Sequence, residues 1–371
     1  MEILALNFGT STLKYALLRA DDAQPAPASV IDRPATPASA IAAVRRAMPP
    51  GRVPDAVVHR VVHGGPHHSA PAVVDRSVER DIEAQLPLAP QHNLLALEGL
   101  RTARAMWPEA VHVAVFDTAF HAQLPEHASC YAVPAAWRKA GLRRYGFHGL
   151  SHRHVMDAVA QRFARDASAL RIVSCHLGNG ASACAIAHGR SVDTSMGLTP
   201  LEGLIMGTRS GDLDPGAHAF VARTLGLQQA EIERVLYEQS GVAALGGHGG
   251  DLRLIEAAAA AGDAQADLAL AAYAYRIRKY IGAYAAAMGG CDTVAFTGGV
   301  GEHSAGVRRR VLAQLDFLGL LLDEDRNQEP QLDDAGVAEL QALGSPARIL
   351  LVQAREEWAM VREALRLLRP T

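Results

Sequence analysis

Two arginines, an aspartate and a histidine occupy positions in this sequence from which side chains commonly meet an anion. Arg209 lies in Gly207-Thr208-Arg209-Ser210-Gly211-Asp212-Leu213-Asp214-Pro215. Small neighbours cover neither the charge nor the length of a guanidinium. A short glycine-flanked loop offers it to an anion, or else it pairs with Asp212 or Asp214. Arg60 closes the run Val57-Val58-His59-Arg60-Val61-Val62 and precedes His63-Gly64-Gly65. An arginine between valines is costly to bury alone, so it either pairs a carboxylate in the core or points into a cleft. Asp117 directly follows Val113–Phe116, at a strand end where cleft chemistry often sits. Its alternative is a salt bridge to a core arginine. His148, in Tyr145-Gly146-Phe147-His148-Gly149, precedes a helix and is a candidate for the same cleft. His148 and His152 are four apart, a spacing that can hold zinc, but no third ligand accompanies them and none is expected. Asn7 and Glu356 offer the oxygen donors that Mg²⁺ prefers. Glu356 alone equally suits a first-turn carboxylate favoured by the helix dipole, and Glu357 is expected to matter less.

Glycine-rich turns supply the second kind of chemistry. Ile3–Leu18 and Ile172–Ala187 each read as an apolar strand, a small-residue turn and a second apolar strand. The turns are Asn7–Thr12 and His176–Ser182, and Gly9, Gly178 and Gly180 let the backbone approach a ligand and donate N–H groups. Two such hairpins, one per half, predict a duplicated domain with phosphate between the halves. Thr297-Gly298-Gly299-Val300-Gly301-Glu302 follows a strand and precedes a helix expected from about Ser304. It reads as a nucleotide cradle or as a tight turn between elements. It lacks the Gly-Lys-Ser/Thr ending of a Walker A loop and the glycine spacing of a dinucleotide fold.

Alternation of strands and helices predicts an α/β protein. Strands are expected at Val57–Val62, Val111–Phe116, Thr293–Thr297 and Ile349–Val352, and a last helix at Glu356–Leu368. Ala258–Met288 reads as helical with a break at Ala261-Gly262, and Leu268, Ala271, Ala272, Tyr275 and Ile281 are expected to pack in the core. Ala23–Pro50, rich in Ala and Pro, is expected to be a peripheral excursion. Arg308-Arg309-Arg310 is expected to be a solvated helix face.

A length of 371 residues suggests two domains, and a net charge of −3 with no long basic block gives no argument for nucleic acid. No apolar run approaches the roughly 20 residues of a membrane span, and no signal peptide is expected. Cys130, Cys175, Cys184 and Cys291 form no C-x-x-C pair and are expected to be buried free thiols in a reducing cytoplasm.

The segments V-V-H-R-V-V-H-G-G, V-F-D-T-A-F-H, Y-G-F-H-G-L-S-H, H-L-G-N-G-A-S, Ser191–Pro215 and F-T-G-G-V-G-E together resemble the acetate kinase family. They follow that family's order and run from Ile3 to about Glu363. The family belongs to the sugar kinase, heat-shock protein and actin superfamily. The resemblance implies two duplicated actin-like (ribonuclease H-like) domains with an active-site cleft between them. The first would comprise residues 1–119 and 358–371, the second residues 120–357. The implied reaction is reversible phosphoryl transfer from ATP to acetate, giving acetyl phosphate and ADP, with propionate or another short-chain acid as the alternative acceptor. Mg²⁺ or Mn²⁺ would lie near Asn7 and Glu356. Arg60, His92, Asp117, His148 and Arg209 would surround the reacting groups. Val62, Gln91, Phe147 and Pro200 would line the acyl pocket. Lys14, His176, Asn179, Gly180, Asp251, Arg253, Gly299, Val300 and Gly301 would meet the nucleotide. A homodimer is implied. The sequence departs from the family at Thr10 and Thr12, which replace serines, at Arg355, which replaces an asparagine, and at Gln91, Leu94 and Leu95, which replace an apolar residue and two prolines.

Overall fold

The computed structural model describes residues 1–9, 12–22 and 28–368. Thr10 and the start of the Ala23–Pro50 stretch lie outside them. The chain divides into two units, residues 1–123, 147–154 and 355–371 in one, residues 124–146 and 155–354 in the other.

The first unit is built on a six-stranded sheet of β1 (Glu2–Phe8), β2 (Thr12–Arg19), β3 (Ser29–Asp32), β4 (Ala56–Val61), β5 (Ala72–Val73) and β6 (Val111–Phe116). Its order is β3-β2-β1-β4-β6-β5. β1 and β2 form the expected hairpin, with Asn7 opposite Lys14. β1, β4 and β6 run parallel. Parallel strands are buried on both faces and therefore read as continuous apolar runs. Ile3, Ala5, Val58, Val113 and Val115 pack on Met360, Val361 and Ala364 of the Glu356–Leu368 helix. Leu4, Leu6 and Val57 face the other way, onto Ile41, Val44, Ala103 and Trp107. The Ala/Pro-rich stretch is thus no excursion where it is described. It contains the Pro37–Ala47 helix, started by a Thr36–Ser39 capping box, and that helix closes one side of the core.

The second unit carries β7 (Arg171–Leu177), β8 (Ala181–Ala187), β9 (Arg190–Thr194), β10 (Thr293–Thr297), β11 (Val337–Glu339) and β12 (Arg348–Val352). Its order, β9-β8-β7-β10-β12-β11, matches the first sheet strand for strand, including the antiparallel pairing of the last short strand. All seven residues of β8 are buried, where alanine, serine and cysteine allow the Ala264–Ala287 helix to pack close. That helix buries Leu270, Tyr273, Ile277, Ile281 and Tyr284. The helical break falls at 261–263 as expected. The expected packing face is corrected: Ile281 is buried, but Leu268 and Tyr275 are each 58% exposed and Ala271 is exposed too.

Two further expectations change. Arg308 is not solvated. It is buried and donates to the Gly301, Glu302 and Asn327 carbonyls and to Asn327 Oδ1 at 2.6–2.8 Å. Cys175 and Cys184 are buried free thiols, but Cys130 is exposed. Among the described residues no helix is long and apolar enough to cross a membrane.

Candidate active site

In the first unit, three neighbouring parallel strands bring charge to one edge of the sheet. Asn7 is the penultimate residue of β1, Arg60 the penultimate residue of β4, and Asp117 follows β6. Their side chains meet there. Arg60 Nη2 lies 2.6 Å and Nε 3.0 Å from the Asp117 carboxylate, and Nη1 donates to Asn7 Oδ1 at 3.0 Å. Arg60 therefore does pair a carboxylate, and Asp117 is the buried partner its alternative reading required. Burial opposes the Arg60 charge, yet Asp117, Glu356 and Glu357 together raise its pKa above the ordinary arginine range. Burial pushes the Asp117 carboxyl upward, against the pull of Arg60.

Asn7 Nδ2 donates to Glu356 Oε2 and to Glu357 Oε1, each at 2.9 Å. Glu357, buried and equally engaged, is a residue the sequence underrated. Two acids opening a helix were visible, but not that both side chains reach one amide. Val62 and Phe147 are buried beside this edge, and His63 meets the Phe147 ring edge-on at 5.4 Å. Asn93 bonds both the His63 N–H and the His63 carbonyl at 3.0 Å, fixing the end of β4 to the Pro90–Met106 helix. His92 is half-buried in that helix's first turn, while Gln91 beside it is exposed. Lys14 is exposed, opposite Asn7 on β2. Among the described residues no group of three His, Cys, Asp or Glu side chains is placed to hold a metal. The oxygens of Asn7 and Glu356 suit a hard cation that takes most of its ligands from phosphate and water.

In the second unit, the expected nucleotide segments converge at the ends of β7 and β10. The Gly207 N–H donates to Asn179 O at 2.9 Å, and a Cβ on Gly207 would stand 2.1 Å from Asn179 Oδ1. The β7–β8 turn with Asn179 and Gly180 therefore touches the loop of Arg209. Gly298 sits so close that a Cβ there would lie 2.7 Å from Leu177 O. The glycine segment itself is corrected. Gly298–His303 is already helical, so Gly299, Val300 and Gly301 form a first turn rather than a loop, and a second helix follows at Ala305–Leu312. Free N–H groups of that turn are the donors such a helix start provides. Arg308 accounts for its shape by binding the carbonyls at its far end. His176 is buried in β7, and Asp251 caps the Leu252–Ala260 helix while pairing Arg253 at 2.7 Å.

Arg209 pairs with neither Asp212 nor Asp214. Asp212 is engaged by Arg276 and Tyr280, and Asp214 accepts from the Gly216 N–H. Among the described residues Arg209 has only the Pro200 carbonyl at 3.1 Å and the Met206 sulfur at 3.8 Å. Burial, opposed by Tyr237, lowers its pKa. The loop behind it is pinned by Glu202, which accepts from Tyr131 and from Arg144, whose guanidinium also reaches the carbonyls of Thr194, Ser195 and Met196. That clasp was not legible, because its members lie 58–71 residues apart.

Residues 52–362 match the acetokinase family. The acetate kinase of Deinococcus radiodurans is 44% identical over 98% of this chain and 97% of its own length. Among solved structures, the acetate kinase of Porphyromonas gingivalis superposes with a TM-score of 0.88 at 36% identity, covering 99% of this chain and all of its own. A propionate kinase from Francisella tularensis matches with a TM-score of 0.88 at 32% identity, covering 98% of each chain. With the motifs, the two matching sheets and these likenesses together, the chain belongs to the acetokinase family.

Proposed function

We propose that this protein transfers a phosphoryl group from ATP to acetate, reversibly, giving acetyl phosphate and ADP. The observation that carries this reading is the contrast between its two arginines. Arg60 is neutralised by Asp117, whereas Arg209 is partly buried with no carboxylate partner among the described residues. An uncompensated guanidinium gains most when an anion arrives.

A carboxylate acceptor is already ionised at neutral pH, so no base has to remove a proton. Asp117, held by Arg60, positions rather than deprotonates. The work left is alignment and charge neutralisation during phosphoryl transfer. Arg209 and His148 would face the transferring group, and Arg60 the acid. Asn179, Gly180 and the Gly299–Gly301 turn would donate backbone N–H groups to the phosphates, and Lys14, His176, Asp251 and Arg253 would also meet the nucleotide. Asn7 and Glu356 would hold Mg²⁺ or Mn²⁺, which supplies positive charge to the phosphate oxygens. The protein would act in the cytoplasm as a homodimer. The exposed Leu268–Tyr275 face of the Ala264–Ala287 helix supports self-association.

Propionate is the second reading, favoured by the likeness of this chain to a propionate kinase. One assay separates the two: acyl phosphate formation from formate, acetate, propionate and butyrate, with ATP and with pyrophosphate as donors. Acetate with ATP should give the highest kcat/KM. A higher value for propionate would favour the second reading, and no acyl phosphate from any acid would end both.

A further inference from the structure

We propose that His121 is a positioning residue for this reaction, acting through the backbone turn that carries His148. The inference rests on the role proposed above for His148. His148 has φ of +56°, in the left-handed region that non-glycine residues seldom occupy. Such a conformation persists only where its surroundings over-determine it. Here they do. The Phe147 carbonyl and the His148 N–H are the two ends of one rigid peptide plane. The His121 ring grips one end, with Nε2 3.0 Å from Phe147 O. The Asp117 carboxylate grips the other, accepting from the His148 N–H. The next amide, Gly149 N–H, donates to Asp117 O at 2.9 Å, and the His152 N–H closes the first helical turn onto His148 O at 2.9 Å.

The proton on His121 follows from chemistry. A carbonyl only accepts, so Nε2 must carry the hydrogen. His121 is fully buried, its ring edge-on to His152 at 5.8 Å. Burial, opposed by the Phe147 carbonyl, pushes its pKa down to about 4, which keeps the ring neutral in that tautomer. Without the grip, the peptide plane is held at one end only, and the bond that sets the direction of the His148 side chain is free to turn.

The test compares His121→Phe, which fills the space without donating, with His121→Gln, whose amide can donate to the same carbonyl. His121→Phe should lower kcat by about 10²-fold, the cost of a misplaced group, with the KM for ATP unchanged. His121→Gln should recover most of that loss, although its melting temperature should be no higher than that of His121→Phe. Hydrogen exchange of the His148 amide should speed up in His121→Phe and not in His121→Gln. Equal kcat in the two variants, or a loss that follows melting temperature, would overturn the proposal. His148→Asn serves as the control for the underlying reading. If it keeps full kcat, the role given to His148 fails and this inference with it. If it is crippled while His121→Phe is normal, only the role of His121 falls.

Discussion

The two units share one sheet order and use its strand ends in opposite ways. In the first, the ends of β1, β4 and β6 carry Asn7, Arg60 and Asp117, side chains with charge or strong dipoles. In the second, the equivalent ends lead to Leu177-Gly178, Thr297-Gly298 and Val352-Gln353, where backbone and small residues dominate. One scaffold thus serves as a frame for side-chain charge and as a frame for main-chain donors.

That contrast predicts different failures for the two arginines. Arg209→Ala should lower kcat by about 10³-fold, as loss of a transition-state arginine does, with stability changed by less than about 1 kcal/mol. Arg60→Ala should lower kcat comparably and also destabilise the first unit by about 3 kcal/mol, because Asp117 is left buried and unpaired. Denaturant titration beside steady-state kinetics reads both effects. Equal stabilities would erase the distinction between a paired and a waiting arginine. In the second unit, Gly207→Ala places a Cβ 2.1 Å from Asn179 Oδ1 and should raise the KM for ATP about tenfold, a displacement worth about 1.4 kcal/mol. An unchanged KM would mean that the β7–β8 turn does not meet nucleotide.

How far the sequence revealed this depends on what kind of force shapes each part. The hairpins and the strand ends at Arg60 and Asp117 were legible, since apolar runs and their interruption are local signals. The Arg60–Asp117 pair was one of two open readings, and only the parallel alignment of β4 with β6 selected it. Gly298–His303 was misread because glycine argues against helix, whereas Arg308 stabilises that turn from outside. The apolar stripe at Leu268 and Tyr275 was misassigned because periodicity finds an apolar face without saying what covers it. Glu357 was rated mild for want of a partner, and Asn7 is 350 residues away.

The equal bonds of Glu356 and Glu357 to Asn7 sharpen the metal reading. Glu356→Ala should raise the Mg²⁺ concentration for half-maximal activity by about tenfold, and Glu357→Ala by a smaller but measurable factor through loosened Asn7. Full activity after exhaustive chelation would remove the metal from the mechanism.

The smallest expected effect concerns acid. β4 of the first unit buries His59 against His112, Nε2 to Nδ1 at 3.0 Å, and the matching strand β10 has no histidine. Burial, then mutual repulsion and Arg104, lowers His59 well below its ordinary 6.5, and burial also lowers His112. A depressed histidine pKa means that the unfolded chain binds the proton more readily. This contribution is therefore present above pH 6.5 and lost as pH falls below it, at no more than about 1.4 kcal/mol per pH unit for each ring. Hydrogen exchange at pH 7.5 and 5.5 should show the first unit loosening more than the second, and His59→Phe should reduce the difference. Equal loosening would argue against a buried histidine pair.

The Glu356–Leu368 helix has a consequence for biosynthesis. It supplies Met360, Val361 and Ala364 to a core whose first strand begins at Glu2, and its opening residue reaches Asn7 across 349 positions. A ribosome makes Glu356 349 positions after Asn7. The usual rule that the N-terminal part matures first is reversed for this chain. β1, β4 and β6 must wait, with one apolar face uncovered, until the Glu356–Leu368 helix has been made. A chain stalled before residue 356 would lack both the cover of that sheet and the carboxylate facing Asn7.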